Sequence, residues 1–317
     1  MLYSLRDRSK AICALLFLAI LLSTFANPTI SFASRGGVEQ KSNSFAVGMT
    51  FKRSGNDEVC SGALLSPTII MTAAHCLVNE EGEKNTEFIF TAPGNRLDDP
   101  VNVKTMPKIL KTFIPDTYVN SDYQGGDDIA FILLDKALAT KGFIRIATTK
   151  EVAALIDGEG LSGYGYGAVY ESGATYSNYP RKYALYWTTS GDISQVKTNQ
   201  IFGVNTVACS GDSGGPITHE ISGGVEVLIG NLSGAASVTN RCGTKAADGK
   251  FYMRMTVGYH YLSLIQSELS KSLATPPAKS KTYKITCIKG KIKKSVIGTN
   301  PKCPIGYKQT AKTLITK

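Results

Sequence analysis

Ala208-Cys209-Ser210-Gly211-Asp212-Ser213-Gly214-Gly215-Pro216 is the stretch on which the reading of this chain turns. A serine hydroxyl is a poor nucleophile at neutral pH and needs a neighbouring base to take its proton. It also needs donors aimed at the oxyanion that forms when it attacks a carbonyl. The glycines of Gly-Asp-Ser-Gly-Gly let the backbone turn tightly and approach a substrate closely, so the Gly211 and Ser213 amides are expected to converge on one point. Standing alone, the stretch reads equally well as a glycine-rich turn between two strands. A base, an acid and matching cysteines elsewhere in the chain decide between these readings.

The base is sought upstream. Thr72-Ala73-Ala74-His75-Cys76 follows an apolar strand directly. Cys60 and Cys76 bracket the strand pair 59–72, and a disulfide between them would fasten His75 to rigid scaffold, which is what a general base requires. His219 and His260 have no comparable context and read as ordinary bonded residues. Asp127-Asp128-Ile129-Ala130-Phe131 places a carboxylate at the mouth of a hydrophobic strand. Asp128, directly before Ile-Ala, is taken as the acid, buried and holding the imidazole tautomer. Asp127 is read as a solvated loop residue.

Short apolar stretches separated by Gly, Pro, Asn and Asp clusters run through 45–51, 59–65, 68–72, 88–91, 101–109 and 129–134. They resume at 153–166, 183–190, 217–218, 225–232 and 251–257. This pattern predicts an all-β barrel or sandwich. Tyr259, Leu262, Ile265 and Leu269 recur at helical spacing, which predicts an amphipathic helix over 259–273, ended by Pro276-Pro277. Further on, 283–288 and 293–297 alternate like a small hairpin, with Cys287 able to pair with Cys303.

Composition fixes the compartment more than the chemistry. With 43% hydrophobic and 19% charged residues in 317, the chain is globular rather than disordered. Its net charge of +10 is unevenly placed, because 276–317 holds eleven lysines and no acid. Arg6, Arg8 and Lys10 add to it at the N-terminus, leaving the centre mildly acidic and giving no argument for nucleic-acid binding. Those three cations precede an apolar run, 11–22, that is too short for a comfortable membrane span and right for a signal-peptide core. Small-x-small sites follow at Thr24-Phe25-Ala26 and Ser31-Phe32-Ala33. The expected division is a signal peptide over 1–33 (or 1–26 with a propeptide over 27–35), a main domain over 36–275 and a basic tail over 276–317. The mature protein would then be secreted or periplasmic. Of seven cysteines, Cys13 falls in the apolar run and six remain, so disulfides are expected. No C-x-x-C pair argues for zinc, and no metal or cofactor is expected.

Together, His75 within T-A-A-H-C, Asp128 within D-I-A-F and Ser213 within G-D-S-G-G-P resemble the chymotrypsin/trypsin family of serine endopeptidases, over about 36–272. The order His, Asp, Ser is that family's chain order. The resemblance implies two six-stranded antiparallel Greek-key barrels with a C-terminal helix and an active site in the cleft between the barrels. It implies protein or peptide substrates, Gly211 and Ser213 as oxyanion donors, and a Cys209–Cys242 disulfide beside the primary pocket. Gly163-Tyr164-Gly165 resembles the family's Gly-Trp-Gly, and Ser233 matches the serine that bonds the buried aspartate. A catalytically inactive binding or adhesion protein on the same fold is the alternative.

Departures from the family concern specificity and activation. The pocket floor, aspartate in trypsin-like members, is Val207, so a preference for Arg or Lys is not implied. Ala208 and Ser210 line the same stretch, and the opposite wall reads Ser233-Gly234-Ala235. Phe251-Tyr252 resembles a family Val-Tyr pair, which places Lys250 or Gly249 at the back of the pocket. An inward Lys250 would favour acidic side chains and an inward Gly249 medium apolar ones. Family zymogens are cut before Ile-Val-Gly-Gly, and the new α-ammonium pairs with the aspartate preceding the nucleophile, here Asp212; this chain has Ser34-Arg35-Gly36-Gly37. The tail is similar to short Lys-rich two-cysteine modules at the ends of bacterial secreted proteins, and contact with an anionic cell surface or polysaccharide is its functional reading.

Overall fold

The structure, a computed structural model, describes residues 37–315 except 54, 79–81, 83, 86, 99–105, 120–126, 141, 170–174, 189–195, 236–237, 240–241, 275–281 and 299–300. The expected signal peptide, propeptide and cleavage sites lie outside the described residues. So does most of the strand expected over 101–109.

In chain order the first strands are β1 (Val38–Glu39), β2 (Ala46–Arg53), β3 (Asn56–Ser66), β4 (Ile69–Thr72), β5 (Phe88–Thr91), β6 (Ile109–Phe113) and β7 (Ala130–Leu134). Then follow β8 (Gly160–Gly165), β9 (Arg181–Trp187), β10 (Thr198–Gly203), β11 (Pro216–Ile221), β12 (Val225–Ala235), the short pair β13 (Val238–Thr239) and β14 (Cys242–Gly243), and β15 (Phe251–Val257). The first sheet has the order β5-β2-β3-β4-β7-β6, all antiparallel. It curls without closing, since its edges β5 and β6 share no ladder among the described residues. The second has the order β1-β9-β10-β15-β12-β11-β8, and the β8–β9 ladder closes six of these strands into a barrel with β1 added outside. The chain is thus all-β, as expected. Its second sheet carries seven strands rather than six, and β10 comes from a polar stretch, Thr-Asn-Gln, that apolar patterning passed over.

Alternation explains the layers. Val47, Met49, Leu64, Ile70, Phe90 and Ile132 fill the inside of the first sheet, while Leu185, Trp187, Ile201, Ile217, Ile229 and Met255 fill the second. A third cluster joins them, with Met71 and Phe131 of the first sheet and Phe45 just before β2 against Tyr164 and Leu228 of the second. Each fully buried side chain of this size contributes about 1.5–3 kcal/mol, so the two sheets are held face to face chiefly by apolar burial.

Two elements differ from expectation. The strand foreseen over 153–166 begins only at Gly160, because Thr148 and Glu151 form a capping box that starts a helix, α1, over Thr149–Ala153. The helix expected over 259–273 is a 3-10 segment, Gly258–Leu264, followed by α2, Gln266–Ala274. Within that segment Tyr261 is hydrogen-bonded to Asp127 and His260 Nε2 to the Val196 carbonyl (3.0 Å). Among the described residues no helix is long and apolar enough to cross a membrane. The tail forms its own three-stranded sheet, in the order β17-β16-β18, from β16 (Thr282–Lys289), β17 (Ile292–Gly298) and β18 (Lys308–Ile315). This is one strand more than the foreseen hairpin, and it is stapled by Cys287–Cys303.

Candidate active site

His75 stands in the one-turn helix after β4, where Cys76 is bonded to Cys60 of β3. That disulfide and the fully buried Ala73 and Ala74 fix the turn, as the bracketing cysteines suggested. Arg53 at the end of β2 adds a bond from Nη2 to the His75 carbonyl (2.8 Å), a contact no local motif announced. Cys60, His75 and Cys76 offer ligand atoms within 4.8 Å of one another, but the disulfide uses both sulfurs and leaves no thiolate for a metal.

Asp128 precedes β7 and is 7% exposed. Its Oδ2 lies 2.8 Å from His75 Nδ1 and accepts the Ser233 hydroxyl, and its Oδ1 accepts the His75 amide at 3.0 Å. The Asp128 carbonyl is held in turn by Asn231 Nδ2 (3.0 Å) and Thr256 Oγ1 (3.2 Å) of β12 and β15. First-sheet residues therefore supply the pair, and second-sheet residues clamp the acid. Burial works to raise the Asp128 pKa, yet His75 and Ser233 outweigh it and hold the carboxyl below its ordinary value. With Asp128 ionised, Nδ1–H is the donor of the pair and Nε2 carries the ring's lone pair.

Asp127 is not the solvated residue that its polar neighbours suggested. It is 5% exposed, adopts φ +63°, accepts from the Tyr261 hydroxyl and lies 3.4 Å from Lys197 Nζ. Burial opposes ionisation there, and Thr117, Tyr261 and Lys197 reverse the effect, so its pKa is also lowered. The cause is long-range. Tyr261 arrives from 134 residues away to cover the turn.

The Ser213 loop is built by backbone geometry. Gly211 (φ +97°) and Gly214 (φ +77°) take conformations that side chains resist, and a Cβ on Gly211 would lie 3.0 Å from Gly167 Cα and from the Tyr176 ring. The Ser213 carbonyl accepts from the Ser61 amide (2.8 Å) and Gly214 N donates to the Leu232 carbonyl (2.8 Å), which pins the loop between the two sheets. Ser61 lies next to disulfide-bonded Cys60, so the loop is docked on the scaffold that carries His75. Its side chain acts a second time. Oγ donates to the Gly211 carbonyl (2.7 Å) and accepts from Tyr166 N (2.9 Å). Among the described residues neither the Gly211 nor the Ser213 amide has an intramolecular acceptor.

Asp212 is fully buried, accepting from Gly167 N and Cys209 N at 2.9 Å each, one on each oxygen. Cys209 is joined to Cys242, and Val207 and Ala208 are buried immediately before it. Ser233 closes on Asp128, while Gly234 and Ala235 continue along β12; Ser210 accepts Ala168 N through its carbonyl (2.8 Å). Lys250 is not brought to this group. Its Nζ lies 4.3 Å from the centre of the Phe202 ring and 3.8 Å from Asp248, on the outer face of the barrel, while Gly249 occupies a turn at φ +85°.

A family model described as Trypsin matches residues 34–262. Trypsin alpha-4 of Lucilia cuprina is 30% identical over 211 residues, which is 62% of this chain and 75% of that protein.

Proposed function

The chain belongs to the trypsin family, and from that premise we propose that it is an exported serine endopeptidase working through His75, Asp128 and Ser213. Ser213 Oγ attacks the peptide carbonyl carbon as His75 Nε2 takes its proton, and the Gly211 and Ser213 amides receive the developing oxyanion. Collapse breaks the C–N bond, His75 returns the proton to the leaving amine, and an acyl ester on Ser213 remains. Water, deprotonated by His75, then attacks the ester carbon, the C–O bond to Ser213 breaks as His75 returns the proton to Oγ, and the acid product leaves. Asp128 stays ionised throughout, orienting the ring and stabilising the imidazolium. The observation that carries this reading is the 2.8 Å contact of His75 Nδ1 with an Asp128 oxygen that also accepts Ser233.

Export is supported by the cationic, apolar N-terminal run and by three disulfides, which persist in oxidising compartments. In this proposal the signal covers 1–33, or 1–26 before a propeptide 27–35, and the α-ammonium of the mature chain faces buried Asp212. The lysine-rich tail over 276–317 contacts an anionic surface or polysaccharide. Val207, uncharged at the pocket floor, argues against an Arg or Lys preference.

Treatment of folded, processed protein with an organophosphorus serine reagent tests the reading. Stoichiometric labelling that is abolished in Ser213→Ala is the expected result. Failure of the native chain to take the label would favour a binding protein instead. N-terminal sequencing of the secreted form gives the cleavage site.

A further inference from the structure

The family resemblance places the primary pocket between two stretches. One is 207–210, which runs into the nucleophile loop; the other is 233–235, whose first residue bonds the Asp128 carboxylate. Strand β15 runs antiparallel to the second of these, with Ala235 opposite Met253, Gly234 opposite Arg254 and Leu232 opposite Met255. Along β15, Phe251, Met253 and Met255 are buried and Tyr252 and Arg254 are half-buried, so the three odd positions face the barrel interior. Met253 therefore springs from the strand that backs Ala235. Its sulfur ends 3.4 Å from the Ala208 amide, on the opposite stretch. The side chain is fully buried and packs in one cluster with Val207, Ala208 and Cys209.

We propose that Met253 occupies the pocket for the side chain preceding the scissile bond and restricts cleavage to sites where that side chain is small, such as glycine, alanine or serine. This rests on the endopeptidase reading above and supplies its substrate class. An acidic or basic side chain entering here would be desolvated against Val207 and Met253, with the Lys250 ammonium held on the outer face. A large apolar side chain would have to displace the thioether from the Ala208 amide and from its packing. In a close-packed wall the extra volume has no place to go.

The experiment has two readouts on the same processed protein. Labelling of Ser213 by a small organophosphorus reagent asks whether the nucleophile works, independently of the pocket. A peptide library, followed by kcat/KM on single peptides, then asks which residue precedes the cut. The native chain should favour alanine over leucine or phenylalanine by at least about tenfold, within the ~10–200-fold that one methylene can decide in an apolar pocket. Met253→Ala should shift the preference toward leucine-sized residues by a similar factor. Met253→Val, a β-branched residue suited to a strand, should shift it in the same direction by less and serves if the alanine variant does not fold. Labelled native protein that cuts after phenylalanine, leucine, glutamate or arginine as readily as after alanine would overturn the inference, as would folded variants with an unchanged profile. A chain that takes no label fails at the earlier step, and the endopeptidase reading falls with it.

Discussion

The Ser61 hydroxyl, on the first sheet, donates to the carbonyl of Gly211 in the nucleophile loop of the second, 150 residues away (2.7 Å), while accepting from Tyr166 N (2.9 Å). One buried hydroxyl thereby sets the peptide plane next to an amide proposed to hold the oxyanion. Ser61→Ala leaves a buried carbonyl and a buried amide without this partner, at a cost of about 1–3 kcal/mol for the groups left unsatisfied. The expected outcome is a lower urea midpoint together with a kcat reduced more than KM is raised, because the donor is misplaced for the transition state rather than for ground-state binding.

Gly214 makes a sharper case. It sits at φ +77°, and a Cβ there would lie 2.1 Å from Thr72 Oγ1 and 2.5 Å from the Ser61 carbonyl. Gly214→Ala is expected to lose about 1–3 kcal/mol to the backbone conformation alone, and more to the clash with the first sheet. Circular dichroism should show retained β structure with a lower thermal midpoint, and the rate of organophosphorus labelling should fall steeply.

What the amino-acid sequence made legible was the family, through candidate residues that sit in contiguous motifs. His75 beside Cys76, Asp128 at a strand mouth and Ser213 among glycines each need neighbours in the chain, so each leaves a local pattern. Ser61, Asn231, Thr256 and Arg53 left none, because their roles depend on which strand lies opposite and in what register. Met253 was passed over for the same reason. Phe251, Met253 and Met255 repeat every two residues on one face, so alternation reveals the face but not which of them reaches Ala208. Asp127 looked solvated since its cover, Tyr261, is supplied by the far end of the domain.

Asp127 and Asp128 give the fold a defined acid limit. Both native pKa values are lowered from 3.8, so in acid the unfolded chain binds more protons than the folded one and stability rises with pH. Their contribution is fully present above the unfolded value and is lost as pH falls through the lower native values. Urea midpoints measured on Ser213→Ala protein, to prevent self-cleavage, should fall progressively as the pH drops below about 5. Asp127→Asn, which cannot ionise, should flatten part of that slope.

The Cys60–Cys76 link closes a loop of sequence separation 16 beside His75. Chain-entropy reasoning assigns such a loop about 3 kcal/mol. Replacing both cysteines by serine should lower the unfolding free energy by roughly that amount and should slow labelling of Ser213 more than the serine replacement of Cys287 and Cys303. The latter pair staples the separate tail sheet, so its loss should leave the labelling rate near that of the native chain.

Asp128→Asn separates orientation from charge. An asparagine in this position keeps the size of the side chain, but its carboxamide offers Nδ2–H where His75 Nδ1 and Ser233 Oγ now meet an acceptor oxygen. If the amide nitrogen faces the ring, Nδ1 becomes the acceptor and the ring proton moves to Nε2, the atom proposed to take the proton from Ser213. If the amide oxygen faces the ring instead, the tautomer survives but the imidazolium formed on attack has lost its counter-charge. With the ring in the wrong tautomer kcat is expected to fall by about 10⁴-fold. KM should stay within a few-fold, since Asp128 sits behind His75 and away from bound peptide. Ser233→Ala, which leaves the carboxylate in place and removes only one donor to it, should cost far less. A loss in Ser233→Ala equal to that in Asp128→Asn would show that the hydroxyl, rather than the carboxylate charge, governs the base.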